Sequence, residues 1–94
     1  MDRVNFQLGE RKYVCIKIIS SCKQPFEVAS AKYVLRNGSQ EEARGDCEIR
    51  QTGDAEVMLS AIIQPMIKGT VYTLEYTYTI GQEILIYEVK VNVT

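Results

Sequence analysis

Between Gly69 and Gly81 the side chains alternate in character almost without exception. Tyr72, Leu74, Tyr76, Tyr78 and Ile80 share one parity, and Thr73, Glu75, Thr77 and Thr79 the other. A period of two places one set in a core and the other in water, so the stretch is predicted to be a strand. Beyond Gly81-Gln82, residues Leu85, Tyr87, Val89, Val91 and Val93 alternate with Ile84, Ile86, Glu88, Lys90 and Asn92. The two runs read as an antiparallel hairpin, with Gly81 supplying the positive φ of a tight turn.

The same pattern recurs upstream. Val4, Phe6 and Leu8 suggest a short first strand over residues 3–8, and Val14, Ile16 and Ile18 a second that ends at Ser20-Ser21-Cys22-Lys23-Gln24-Pro25. Ala29, Ala31, Tyr33 and Leu35 give a third, closed by the Asn37-Gly38 turn signal. The spacing of Val28, Ala31 and Leu35 also fits a helix. Residues 38–45 read as a polar loop, although Ser39 and Glu42 have the spacing of a capping box. Gly45, Cys47 and Ile49 predict a short charged edge strand, and Ala55, Val57, Leu59, Ala61 and Ile63 a fifth strand before Pro65.

Strands at intervals of about 8–14 residues with turn signals between them point to an all-β, seven-stranded, immunoglobulin-like antiparallel β-sandwich. A small β-barrel is the alternative, because parity does not separate two packed sheets from one closed sheet. The expected core is Val14, Ile16, Ile18, Tyr33, Leu35, Ile49, Val57, Leu59, Ile63, Tyr72, Leu74, Tyr76, Val89 and Val91. The 94 residues make a single domain, 1–94, able to bury roughly 60–65% of its unfolded surface.

Composition narrows the function. Eleven basic and twelve acidic residues leave a net charge of −1, which gives no field to draw nucleic acid or anionic lipid. No run approaches the about 18 apolar residues of a membrane helix, and no signal-peptide pattern is present, so the expectation is a chain that stays in the cytoplasm where it is made. Three cysteines, Cys15, Cys22 and Cys47, without CxxC spacing suit free thiols in a reducing compartment.

The sequence has no histidine, which removes the commonest general base and the Ser-His and Cys-His nucleophile pairs. Cys22, beside Lys23, is the most exposed thiol candidate. Glu41, Glu42, Asp46 and Glu48 could offer oxygens to calcium, but they lack the EF-hand alternation, and Arg44 and Arg50 are interspersed, so a solvated polar edge is the reading. No catalytic residue, cofactor, metal or small-molecule substrate is expected.

Ile67-Lys68-Gly69-Thr70-Val71-Tyr72-Thr73-Leu74 resembles the segment opening the sixth strand of fibronectin type III and related domains. That likeness implies a structural corner at Gly69 and Tyr72, with the tyrosine ring in the core and its hydroxyl bonded to upstream backbone. Lys68 stands where proline is common, and the tryptophan and disulfide of antibody domains are missing. More broadly, Val28-x-x-Ala31-x-Tyr33, the Asn-Gly turn, Gly69-Thr70-x-Tyr72-Thr73-Leu74-x-Tyr76 and Val89-x-Val91-x-Val93 resemble the small immunoglobulin-like proteins encoded among bacteriophage and prophage structural genes.

That resemblance implies a head, tail or baseplate component, a non-enzymatic module whose partners are other assembly proteins or further copies of itself. An adhesion or recognition domain from a larger bacterial surface protein is the alternative. The candidate contact patch is Val28, Val34, Ile84 and Ile86, placed by parity on the outer faces of the third and last strands.

Overall fold

In a computed structural model the chain is described over residues 2–19, 26–67 and 69–94. The predicted break at Ser20–Pro25, with its Cys22 thiol, and Lys68 of the corner motif lie outside these residues. The strands are β1 (Asp2–Phe6), β2 (Lys12–Ile19), β3 (Val28–Asn37), β4 (Gln40–Asp46), β5 (Glu48–Gly53), β6 (Glu56–Ile63), β7 (Val71–Ile80) and β8 (Glu83–Val93). They form a five-stranded sheet, β1-β8-β7-β3-β4, and a three-stranded sheet, β2-β6-β5. The fold is therefore all-β, with two sheets in a sandwich-like arrangement rather than one closed barrel.

β7 and β8 are the regular centre of the larger sheet. Their antiparallel register runs unbroken from Val71 opposite Asn92 to Ile80 opposite Glu83, and Gly81 adopts φ 59° at the turn. The inward parity of β7 is buried from Tyr72 to Tyr78, with Tyr72, Leu74 and Tyr76 fully covered. Opposite them the smaller sheet presents Val14, Ile16, Val57, Leu59, Ala61 and Ile63. Removing each large aliphatic side chain from water contributes about 1.5–3 kcal/mol, which makes these two faces the main stabilising contact.

Tyr76 adds a polar tie across the interior. Its hydroxyl donates to the Val14 carbonyl at 2.6 Å, joining β7 of one sheet to β2 of the other. A buried hydroxyl without a partner would be costly, so the position demands both a ring and a nearby acceptor.

Several expectations are corrected. Among the described residues the strands number eight, not seven, because the single edge strand expected over Gly45–Arg50 is the end of β4 and the start of β5, on different sheets. The crossing is made at Cys47, which is buried and whose N–H donates to the Ala31 carbonyl at 2.9 Å before the chain leaves the larger sheet. The predicted loop at 38–45 is mostly β4, paired antiparallel to β3 through the Asn37-Gly38 turn. The helical alternative for the third segment gives way to a ten-residue strand.

The sheets are not wholly antiparallel either, since β1 lies parallel to β8, with Val4 beside Val91 and Phe6 beside Val93. Alternation assigns faces and carries no information on strand direction. Phe6, Ala31, Cys47, Ala61, Tyr78 and Val93 join the core beyond the expected set. Ile18 and Tyr33 are only partly covered. Ile49 faces Leu59 across the β5–β6 ladder yet is 41% exposed, because β5 is an edge strand with no described strand beyond it in its sheet.

Tyr76→Phe is expected to lower stability by about 1–3 kcal/mol, because it strands the Val14 carbonyl. Leu59→Ala is expected to cost about 2–5 kcal/mol through the cavity it leaves. Urea titrations read both as a shifted midpoint with an unchanged slope.

Candidate functional site

Two regions carry the residues that the sequence singles out. The first is the corner at the start of β7. Gly69, at φ 73°, makes the turn into the strand, a conformation that residues with a Cβ rarely adopt. Its N–H donates to the Val93 carbonyl at 2.8 Å, so the start of β7 is held against the end of β8. The Tyr72 ring is fully buried. Its hydroxyl accepts a hydrogen bond from the Ile67 N–H at 3.1 Å and donates to Glu42 Oε1 at 2.8 Å.

Glu42 is the partner that sequence reading missed. The β3–β4 register pairs Leu35 with Ala43 but Arg36 with Glu41, which leaves Glu42 as the extra residue of a bulge. A bulge re-aims a side chain, and here it brings the carboxylate to the tyrosine hydroxyl. Neither residue type nor alternation announces such an insertion. The remaining acids of this region are dispersed: Glu41 forms a two-point pair with Arg44 at 2.7 and 2.9 Å, and Glu48 lies 3.6 Å from Arg50.

The second region is the outer face of the five-stranded sheet. Ile84 and Ile86 sit two apart on β8 and are 71% and 62% exposed. Across the sheet they face Thr79 and Thr77 of β7, with Ser30 and Lys32 of β3 beyond. Val34 lies elsewhere on that face, between Glu75 of β7 and Arg44 of β4. Nearby, Arg36 pairs with Glu75 at 3.2 Å, and Lys90 donates to Thr73 at 2.9 Å. Val34 is thus set among charges and does not adjoin the isoleucines.

Val28 is not on the outer face. The β3–β7 register shifts between Val28 and Ser30, so Val28 lies opposite Ile80 and packs, like it, against the core. The shift inserts Ala29, and one inserted residue reverses the facing of everything before it. Of the four residues assigned to the patch, the structure brings together Ile84 and Ile86.

Apart from Glu10, an exposed carboxyl held low by the bond it accepts from the Gln7 N–H, the titratable groups with clear shifts belong to the interior. Burial pushes the Cys47 thiol from 9.0 up to about 11, with the Asp46 charge adding to it. Burial also raises Tyr76 and Tyr78, and raises Tyr72 together with its bond to the Glu42 carboxylate. These shifts favour neutral, protonated side chains, the state that a packed core requires and the opposite of an activated thiolate. Among the described residues, no group of three His, Cys, Asp or Glu side chains is placed to hold a metal ion.

Compared with protein families and with characterised proteins, the sequence matches none.

Two outcomes follow from this geometry. In a double-mutant cycle, Tyr72→Phe and Glu42→Ala should show a coupling of about 0.5–1.5 kcal/mol by urea denaturation. Stability should also fall on the alkaline side. The raised groups bind protons more tightly when folded, so their contribution is whole below the unfolded values of 9.0 and 10.0 and is lost as pH climbs toward the folded ones. The loss should begin near pH 9 with Cys47 and steepen above pH 10, by up to about 1.4 kcal/mol per pH unit for each group. Cys47→Ala should remove its pH 9–11 part, measured as denaturation midpoints across that range.

Proposed function

We propose that this chain is an immunoglobulin-like, non-enzymatic interaction module, a component of phage or prophage particle assembly that works by docking its sheet edges and outer face onto other proteins. The strand order supports the fold assignment. Setting β2 to β8 against strands B, C, C′, D, E, F and G of that family gives C′CFG on one sheet and BED on the other. β1 then lies beside the last strand instead of beside the second. The Tyr72 hydroxyl, bonded to backbone upstream of its own strand, has the form of the tyrosine corner of such domains.

The observation that carries the functional reading is the contrast between interior and edge. Large side chains are sorted inward with high fidelity along β6, β7 and the second half of β8, yet Ile84, at 71%, is the most exposed large apolar residue among those described, and Ile86, two positions on along the same face, is 62% exposed. A single exposed aliphatic is ordinary; an adjacent pair beside an unfilled strand edge is the chemistry of a docking surface. The larger setting, a virion or prophage particle made in the bacterial cytoplasm, rests on the resemblance to small phage structural proteins.

Particles purified after prophage induction or infection should contain peptides of this protein at a constant ratio to the major capsid or tail protein across a density gradient, as read by mass spectrometry. Its genetic neighbours should encode portal, capsid or tail proteins. Particles free of the protein, combined with unrelated neighbouring genes, would remove the assembly role.

A further inference from the structure

β1 is shorter than the strand it borders. It faces only Val89–Val93 of β8, so no described strand lies beside Glu83–Glu88 on the side away from β7. The direction of the backbone groups there follows from the top of the strand. Val93 exchanges hydrogen bonds with Gly69 and Thr70 on the β7 side, whereas the Thr94 N–H donates to Phe6 on the β1 side. With the β7–β8 register unbroken, odd residues of β8 turn their N–H and C=O toward β7 and even ones turn theirs away. Ile84, Ile86 and Glu88 therefore direct backbone donors and acceptors out of the open edge.

Two of the other edges are defended: β4 carries Glu41, Glu42, Arg44 and Asp46 and is bulged, and β5 carries Glu48 and Arg50 with a register shift. β2 has an even ladder with Lys12 and Lys17 near its ends, as β8 has Glu83 and Glu88, but its outward side chains between them are Tyr13 and Cys15 rather than two isoleucines. Charges and bulges are the usual means of keeping an edge from pairing. Between Glu83 and Glu88 there is no charge, no proline and no bulge, only Ile-Leu-Ile-Tyr.

We propose that a second copy of this chain fills the edge, its β8 pairing antiparallel with β8 about a two-fold axis at Leu85, so that two five-stranded sheets become one continuous sheet. The inference rests on the reading of the chain as an assembly module and names its partner. The two ends of the open stretch set the register. The Gly81-Gln82 turn closes one end, and Asp2, opposite Val89, closes the other; the midpoint falls between Leu85 and Ile86, and only a centre at Leu85 keeps the partner's Glu83 from the place beside Val89 that Asp2 already takes.

That centre places Leu85 opposite Leu85, Ile84 opposite Ile86 and Glu83 opposite Tyr87. Ile84 and Ile86 are the residues whose backbone groups point outward, so they make the hydrogen-bonded pairs, as an antiparallel ladder requires. On the outer face, Ile84 and Ile86 of both copies gather into one apolar cluster. No glutamate of one copy faces a glutamate of the other. The isologous pairing also closes on itself, which gives a dimer rather than a filament.

Sedimentation velocity of the full chain should show a concentration-dependent dimer between about 1 and 200 μM, the range of an interface one strand wide. Ile86→Lys should weaken it at least about tenfold while the far-ultraviolet dichroism stays unchanged. With Cys15 and Cys22 replaced by serine, Leu85→Cys should cross-link into a covalent dimer under mild oxidation, and Tyr13→Cys on the β2 edge should not.

A wild-type chain monomeric throughout that range overturns the proposal without need of any variant. So does a dimer that Ile86→Lys leaves intact, or one that Leu85→Cys does not cross-link. A monomer still found in particles would dismiss this pairing and keep the assembly role with a different partner on the edge; a dimer absent from particles would do the reverse.

Discussion

The fold depends on hiding the inner face of β7, and that face is built from tyrosines rather than aliphatic residues alone. A tyrosine contributes a large apolar area only if the hydroxyl at its far end finds a partner. Tyr76 finds Val14 in the opposite sheet, and Tyr72 finds the Ile67 N–H and the Glu42 carboxylate at the sandwich's edge. The two rings thus do more than fill volume, because each is tied at its tip to a different element. Tyr76 connects the sheets, and Tyr72 connects the segment before β7 to the bulge of β4.

The same dependence explains which parts of the structure were legible in the residues. Where a strand lies in the middle of its sheet with one face dry and the other wet, alternation is complete, and β7, β6 and the second half of β8 could be read directly from Tyr72 to Tyr78, Val57 to Ile63 and Val89 to Val93. Edge strands obey weaker rules. β4 and β5 are largely polar on both faces, so residues 38–45 read as a loop and the end of β4 merges with the start of β5 across Cys47. The crossing left no mark in the pattern, since a buried cysteine fits an inward strand position as well as it fits a hinge between sheets.

Bulges account for most of the remaining differences at the candidate site. One inserted residue at Ala29 turned Val28 from the outer face to the core, and another at Glu42 created a contact with Tyr72 that no spacing rule contains. Ile84 and Ile86 keep the outward facing that parity gives them because nothing interrupts the register between them and the core positions above. The corner at Gly69 and Tyr72 was legible for a different reason: a positive-φ glycine three residues before a buried tyrosine is a local signature, indifferent to what happens elsewhere in the sheet.

The distribution of irregularities is itself informative about the sheet's use. Register shifts occur in β3 against both its neighbours and between β5 and β6, whereas the ladders of β7 with β8, β2 with β6 and β1 with β8 have none. A bulge twists a strand and spoils it as a template for another chain, while an even ladder holds its free donors and acceptors in the spacing that an added strand can match. The regular hairpin that anchors the core is therefore also an element whose outer margin is suited to pairing. Stability and the proposed docking draw on the same feature here: the unbroken alternation that buries Val89, Val91 and Val93 at one end of β8 leaves Ile84 and Ile86 outside at the other, where β1 no longer reaches.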